Sequence, residues 1–150
     1  MELILWRHAD AEDGAPDVER KLTAKGVKQA RAMARWLKSR LPDDAVVMSS
    51  PARRARETAA ALTDKFEIRN ELGTDADCAS LLTAAGWPKR DATVVVVGHQ
   101  PTLGVTAAKL LAGAEQGWSV KKSAIWWIAA RAEGGRLQAV LRAVISPDLL

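Results

Sequence analysis

The sequence predicts an α/β protein: a single-domain three-layer α/β/α sandwich with a mostly parallel sheet and a C-terminal antiparallel hairpin at its edge. Short apolar runs alternate three times with segments of helical periodicity, which is typical of a parallel sheet covered by helices on both faces. These runs are apolar throughout, as strands buried on both faces are. The tail differs, because two β-prone stretches, 122–131 and 136–145, flank the turn signal Glu133-Gly134-Gly135.

The first half of the chain contains two predicted strands, each followed by a helix. Residues 3–6 form an apolar strand that ends at Arg7-His8, and residues 9–21 form a long polar loop. Thr23 is the predicted N-cap of a helix that runs to about Arg40, because apolar residues recur after it at helical spacing.

The remaining elements repeat this alternation. Residues 45–48 form a strand, and Ser50 is the predicted N-cap of the next helix, with Pro51 at its first position. Four consecutive valines make 92–97 the strongest strand signal. The weaker elements are a strand at 65–69, a helix at 77–85 and a helix at 101–113.

Length and composition predict one globular domain, 1–150, with one core. Hydrophobic residues make up 48% of the chain and charged residues 27%, which is ordinary for such a domain. No run of 18 apolar residues occurs, and Met1-Glu2 leads directly into the first strand, so we expect no membrane span and no signal peptide. Cys78 is the only cysteine, which suits a reducing compartment. These features predict a cytoplasmic protein.

The candidate functional site lies at three strand ends. In open parallel sheets, ligands bind beyond the carboxyl ends of the strands. Arg7-His8, Ser49-Ser50 and Gly98-His99 follow three of the predicted strands, and they include both histidines of the chain. A single histidine at a strand end is more often structural, but two at converging ends beside an arginine indicate function.

Histidines together with arginine indicate a phosphate or carboxylate ligand. The planar guanidinium offers a fork of donors that fits either anion, and the N-terminus of the helix after Ser50 adds backbone N–H groups. Arg53, Arg54 and Arg56 all lie early in that helix, and periodicity does not choose between them. The net charge of +4 gives weak support for an anionic substrate.

Other functions fit the sequence less well. Two histidines and Cys78 are a poor ligand set, so we expect no metal, and the phosphate-binding loop of NTPases and the G-x-S-x-G elbow are absent. A cysteine phosphatase would need an arginine at the position of Ala84. No buried strand precedes Asp75-Ala76-Asp77, as an aspartyl-phosphate site would require. With Phe66 as the lone Phe and no Tyr, the sequence does not indicate nucleic-acid binding.

At this point the ordered motifs show a resemblance. Arg7-His8-Ala9 resembles the Arg-His-Gly signature of the histidine phosphatase superfamily, which has the phosphoglycerate-mutase-like fold. The likeness extends from residue 3 to about 104, and a later block is similar to the short SixA-type branch of phosphohistidine phosphatases. The further matching blocks are Leu22-Thr23-x-x-Gly26-x-x-Gln29-Ala30, Ser50-Pro51-x-x-Arg54-Ala55-x-x-Thr58-Ala59, Val97-Gly98-His99-Gln100-Pro101 and Ser123-Ala124-Ile125.

The resemblance implies a role for each matching residue. It makes His8 the nucleophile of a double displacement, selects Arg54 from its neighbours, and assigns Arg7, Arg54 and His99 to the phosphoryl oxygens. Arg20, in the long loop, is a candidate for substrate binding. The implied activity is hydrolysis of phosphohistidine on a partner protein, without metal or other cofactor, by a monomer or weak homodimer.

The sequence leaves open two alternative functions, the identity of the proton donor and the role of three tryptophans. The alternatives are a small-molecule phosphomonoesterase of the same superfamily and a non-catalytic phosphate-binding adaptor. Ala9 replaces the usual glycine, and the acidic proton donor of the larger mutase-type enzymes has no counterpart, so Asp10 and Asp75 are the candidates. The roles of the tryptophans near the tail are also open, although adjacent residues of a strand point to opposite faces. These tryptophans are Trp118, Trp126 and Trp127.

Overall fold

A computed structural model describes residues 1–150 and contains one six-stranded mixed sheet. The strand order is β3-β2-β4-β1-β5-β6; the first four of these run parallel, and β5 and β6 are antiparallel additions at one edge. The predicted α/β class and the C-terminal hairpin are therefore confirmed. The strands are β1 (Glu2–Arg7), β2 (Val46–Ser49), β3 (Glu67–Ile68), β4 (Thr93–Gly98), β5 (Ile125–Glu133) and β6 (Arg136–Ile145).

Four helices connect or flank the strands, and their ends show why they begin and stop where they do. The Thr23 side chain accepts a hydrogen bond from the Gly26 N–H, and the Asp77 side chain caps the third helix through Ser80. Gly86 ends that helix with a left-handed φ of 80°. No helix is both long enough and apolar enough to cross a membrane. The helices are α1 (Ala24–Lys38), α2 (Arg53–Leu62), α3 (Cys78–Ala85) and α4 (Thr102–Ala112).

The predicted start of α2 at Ser50 is wrong, because the helix begins at Arg53 and Ala52 occupies the cap position without a side-chain hydrogen bond. The Ser50 hydroxyl accepts instead from the Ala52 N–H at 3.2 Å and lies 2.8 Å from His99 Nε2. The chain therefore makes a turn through Pro51 before the helix starts. This turn places the serine hydroxyl at the end of the sheet.

Each face of the sheet is covered by one pair of helices. Successive side chains of β1 alternate between the faces. Ile4 and Trp6 pack with residues of α1 and α2, whereas Leu3 and Leu5 pack with residues of α3 and α4. All four of these side chains are fully buried, so β1 lies at the centre of both halves of the core.

The C-terminal hairpin turns at Gly134 and Gly135, whose positive φ values of 57° and 79° suit a two-residue hairpin loop. Trp126 and Trp127 point to opposite faces, as predicted. Trp126 packs against Trp118, with ring centroids 5.9 Å apart and ring planes inclined by 39°. Trp127 meets Trp36 of α1 edge to face at 6.2 Å, so both rings contact elements of their own chain.

Candidate active site

The register of the parallel strands brings the two histidines together. Arg7 lies opposite Gly98 in the pairing of β1 with β4, so His8 and His99 are the next residues at the same end of the sheet. The His8 N–H donates to the Gly98 carbonyl at 3.0 Å. Both side chains are buried, and their ring centroids lie 5.1 Å apart. The two strand ends that carry the histidines therefore meet at one place, as the sequence analysis predicted.

A cavity of about 260 Å³ opens above these rings, and we call it the histidine cavity. Four of its ten lining residues are cationic and one is an acid, so it favours an anionic ligand. A wider depression of about 700 Å³ adjoins it along the long loop and contains neither histidine. The residues that line the histidine cavity are Arg7, His8, Ala11, Asp13, Arg20, Arg54, Thr74, His99, Gln100 and Lys122.

His8 is held as a neutral imidazole in which one ring nitrogen is unprotonated. Its Nδ1 lies 2.8 Å from the Ala9 carbonyl, which can only accept, so Nδ1 carries the proton. Arg54 Nε donates to His8 Nε2 at 3.3 Å, which requires a lone pair there. Burial lowers the pKa of His8 to about 4, against the opposing effect of the Ala9 carbonyl, and the nearby arginines lower it further. The Nε2 lone pair is thus available for attack on phosphorus.

His99 faces His8 from the end of β4. Its Nε2 lies 2.8 Å from the Ser50 hydroxyl, and its Nδ1 is buried without a hydrogen-bond partner. Burial, followed by the neighbouring His8 and Arg54, lowers the pKa of His99 to about 3. The ring is therefore neutral, and a bound anion would supply a hydrogen-bond partner for Nδ1 and would favour protonation of the ring.

Arg54 is the arginine of α2 that reaches the cavity, and only 4% of it is exposed. Its Nη1 donates to the Asp17 carbonyl at 2.9 Å and its Nη2 to the Asp17 carboxylate at 3.2 Å. Arg53 and Arg56 are exposed on the same helix; Arg53 pairs with Glu57 instead. Residue patterns did not indicate Asp17, because it is one of five acids in the polar loop and nothing in the sequence distinguishes it from the others.

Arg7 also lines the cavity and is anchored by the connection between α4 and β5. Its Nη1 donates to the Val120 carbonyl at 2.8 Å, and burial lowers its pKa. Its Nε is buried and has no partner. Arg7 Nε and His99 Nδ1 are therefore two polar atoms of the site that are buried and unpaired, and a phosphoryl group in the cavity could satisfy them.

The other sequence candidates lie at the rim or outside the cavity. Arg20 lines the cavity while its Nε donates to Asp17 at 3.0 Å. Asp10 and Asp75 do not line it, and the Lys122 ammonium holds the pKa of Asp10 below its usual range, which suits an acceptor more than a proton donor. Asp13 is the only carboxylate among the lining residues, and the sequence did not single it out.

The arrangement matches the chemistry of phosphoryl transfer through histidine. A neutral ring presents a lone pair, and arginines surround the place where a transferring group would lie. No group of three or more His, Cys, Asp or Glu side chains is placed to hold a metal ion.

Comparisons with known proteins agree with this chemistry. The model of the histidine phosphatase superfamily (branch 1) matches residues 3–77. The phosphohistidine phosphatase SixA of Escherichia coli (strain K12) is 33% identical over 122 residues, which are 75% of this chain and 76% of that protein. The chain belongs to the histidine phosphatase superfamily.

Solved structures narrow this assignment. The protein histidine phosphatase SixA complexed with tungstate matches with a TM-score of 0.80 and 29% identity, over 99% of each chain. A Nakamurella multipartita structure assigned as SixA matches with a TM-score of 0.81 and 29% identity, over 97% of this chain and 95% of that one. Together with the sequence relative, these structures place the chain in the SixA-type branch.

Proposed function

We propose that the protein is a phosphohistidine phosphatase that hydrolyses a phosphohistidine on a partner protein by double displacement through a phospho-His8 intermediate. The observation that carries this proposal is the unprotonated Nε2 of a buried, neutral His8, which accepts a hydrogen bond from Arg54 in a cavity lined by arginines. The similarity to SixA proteins supports the same reaction class.

In the first step, His8 Nε2 attacks phosphorus, and the bond between phosphorus and the substrate nitrogen breaks. The leaving imidazole keeps the electron pair of that bond and departs as a neutral ring once it is protonated. Arg7, Arg54 and His99 bind the equatorial oxygens, where charge must be stabilised during transfer. The bound dianion favours the cationic form of His99.

In the second step, water attacks the phosphorus of phospho-His8. The bond between phosphorus and His8 Nε2 breaks, and inorganic phosphate leaves as the ring regains its lone pair. The hydrogen bond between Nδ1 and the Ala9 carbonyl keeps the same nitrogen aimed at the cavity in both steps. Arg20 binds the substrate phosphate or an acidic surface of the partner at the rim.

The exposure of Asp13, the one carboxylate that lines the cavity, supports a phosphoramidate over a phosphoester as the substrate. An alkoxide leaving group needs a strong proton donor, whereas a protonated imidazole leaves without further help. The two acids considered from the sequence, Asp10 and Asp75, are not among the lining residues. A small-molecule phosphomonoesterase remains the alternative, in which case Asp13 would be the acid within the cavity.

The test is a turnover assay with a ³²P-labelled histidine-containing phosphotransfer domain, with sugar phosphates and phosphoserine as comparison substrates. We expect the protein to release phosphate rapidly from the phosphohistidine domain and not from the sugar phosphates or phosphoserine. His8→Ala should reduce turnover by at least about 10⁴-fold because the nucleophile is lost, while circular dichroism shows an unchanged fold. Neutral quenching should trap the label on His8 of the wild-type protein.

Two results would contradict the proposal. Turnover by the His8→Ala variant at the wild-type rate, or label on a different residue, would remove His8 as nucleophile. Faster hydrolysis of a phosphomonoester than of the phosphohistidine domain would favour the small-molecule alternative.

A further inference from the structure

Lys122 is a lining residue of the histidine cavity that the sequence motifs did not indicate. It lies in the segment between α4 and β5, residues 113–124, which we call the connecting segment. Its Nζ is 2.7 Å from Asp10 Oδ1, and half of its side chain is exposed. The cavity therefore has a cation besides its arginines, and this cation is paired with Asp10.

The backbone around Lys122 is tied directly to the strand that carries the nucleophile. The Ser123 N–H donates to the His8 carbonyl at 3.2 Å, and the Arg7 N–H donates to the Ala124 carbonyl at 3.1 Å. Both bonds involve the residues that directly follow Lys122 in the chain. Its Cα position is therefore fixed relative to His8, although its side chain extends into solvent.

Ser123 adds a second constraint on the position of Lys122. It is the only non-glycine residue with a positive φ, at 60°, and it is fully buried. Trp6 Nε1 donates to the Ser123 carbonyl at 3.1 Å and to its hydroxyl at 3.3 Å. A strained conformation persists only where the surroundings over-determine it. The local fold thus holds the lysine at the cavity.

Asp10 holds Lys122 with one oxygen and has a second anchor of its own. Its Oδ2 accepts from the Thr23 hydroxyl at 2.7 Å, so the carboxylate keeps a partner when the lysine leaves. Exposed ion pairs contribute little to stability because water solvates both groups well. A phosphoryl dianion carries more charge than one carboxylate and forms stronger charge-assisted hydrogen bonds. Substrate in the cavity can therefore draw the ammonium group away from Asp10.

We propose that Lys122 is a further substrate-binding residue, which exchanges its ion pair with Asp10 for contact with the phosphoryl group. The inference rests on the proposed function, since it assumes that the histidine cavity binds the phosphoryl group. In this exchange Asp10 competes with the substrate for Lys122. The two partners of one ion pair therefore have opposite effects on phosphate binding. The effect of Asp10 also depends on the presence of Lys122, which simple charge repulsion by Asp10 does not produce.

Calorimetric titration with inorganic phosphate tests the exchange without requiring turnover. Lys122→Met should raise the Kd for phosphate about 5-fold because a charge-assisted contact is lost. Asp10→Asn keeps an oxygen for Thr23 and should lower the Kd about 2-fold because the competitor is removed. In the double variant, Asp10→Asn should add no effect to Lys122→Met, because no lysine is left to release.

The adjacent ion pair provides a matched control. Lys121 is 3.4 Å from Asp148, is also exposed, and does not line the cavity. Lys121→Met and Asp148→Asn change the net charge by the same amounts as the test variants. We expect both to leave the Kd for phosphate within about 1.5-fold of the wild-type value, because screening weakens charges outside the cavity.

The outcomes separate this inference from the proposed function. An unchanged Kd in Lys122→Met, or an equal effect of Asp10→Asn with and without the lysine, would overturn the exchange. If phosphate binding follows the expected pattern but phosphohistidine is not hydrolysed, the proposed function fails and the lysine assignment stands. Lys122→Gln, which is polar and uncharged, serves as the second variant if Lys122→Met does not fold.

Discussion

His8 and His99 owe their low pKa values chiefly to burial, and this gives a direct test at the scale of single residues. The chain has two histidines, so each gives a separate Cε1–H resonance in a proton NMR titration. With pKa values of about 4 and about 3, neither resonance should pass its midpoint above about pH 5. A midpoint near 6.5 for either ring in the unliganded protein would contradict this assignment of neutral histidines.

The same pKa values have a consequence for stability with a defined sign. In the unfolded chain each histidine binds a proton as the pH falls through about 6.5, whereas the folded protein does not until about 4 or below. The unfolded state therefore binds more protons in this window. We expect the free energy of unfolding to fall as the pH decreases from about 6.5 to 4, on the order of 3 kcal/mol for His8.

At the residue scale, the sequence identified the groups that lie next to strands but not their partners. His8, His99 and Arg7 could be located because each lies at or just beyond a strand end. Asp17 and Lys122 contact the site only through folded loops, 37 residues from Arg54 and 112 residues from Asp10 respectively. No local pattern connects residues so far apart in the chain.

At the scale of elements, Gly26 sets the contact between α1 and the start of the long loop. A Cβ at this position would lie 2.0 Å from the Asp10 carbonyl oxygen, and backbone atoms cannot move away cheaply. Gly26→Ala should therefore lower the free energy of unfolding by about 3 kcal/mol in urea titrations.

The control for Gly26→Ala is Gly117→Ala in the connecting segment. No atom lies within 4 Å of a Cβ at Gly117, so that change should alter stability by less than about 0.5 kcal/mol. Equal stability of the Gly26→Ala variant and the wild-type protein would show that the loop yields to the added methyl group.

Element positions followed from local patterns wherever one physical signal dominated. The valine run marked β4, and the Thr23 cap marked the start of α1. The start of α2 was misplaced because the Ser50 hydroxyl, a good cap by composition, bonds to the turn and to His99 instead. The contact of Ser50 with His99 takes the place of the helix cap. Residues near Ser50 in the sequence do not indicate this contact, because His99 is far away in the chain.

At the scale of the whole molecule, we expect catalysis to be independent of metal ions. The proposed reaction uses arginines and histidines for the charge stabilisation that many phosphatases obtain from divalent cations. Phosphohistidine turnover should therefore be unchanged in 5 mM EDTA within about 20%, with a metal-dependent phosphatase losing activity in the same assay. A loss of activity that Mg²⁺ restores would contradict this expectation.

The layered architecture was predictable because alternating buried strands and helices leave few topologies. The strand order β2-β4-β1 could not be predicted, because parallel neighbours are far apart in the chain and all the central strands are similarly apolar.

The prediction of a monomer or weak homodimer stays a prediction. Four apolar side chains of the edge strand β6 are exposed: Leu137, Val140, Leu141 and Val144.

The position of β1 between β4 and β5 has a consequence for biosynthesis. Strand β1 pairs with residues 93–98 on one side and with residues 125–129 on the other. Contacts of such long sequence separation form late and slowly. The proposed nucleophile, His8, directly follows β1, but its surroundings are complete only after residues 93–129 have also been synthesised. The candidate active site of the nascent protein therefore forms only after β5, the first strand of the C-terminal hairpin, has been synthesised.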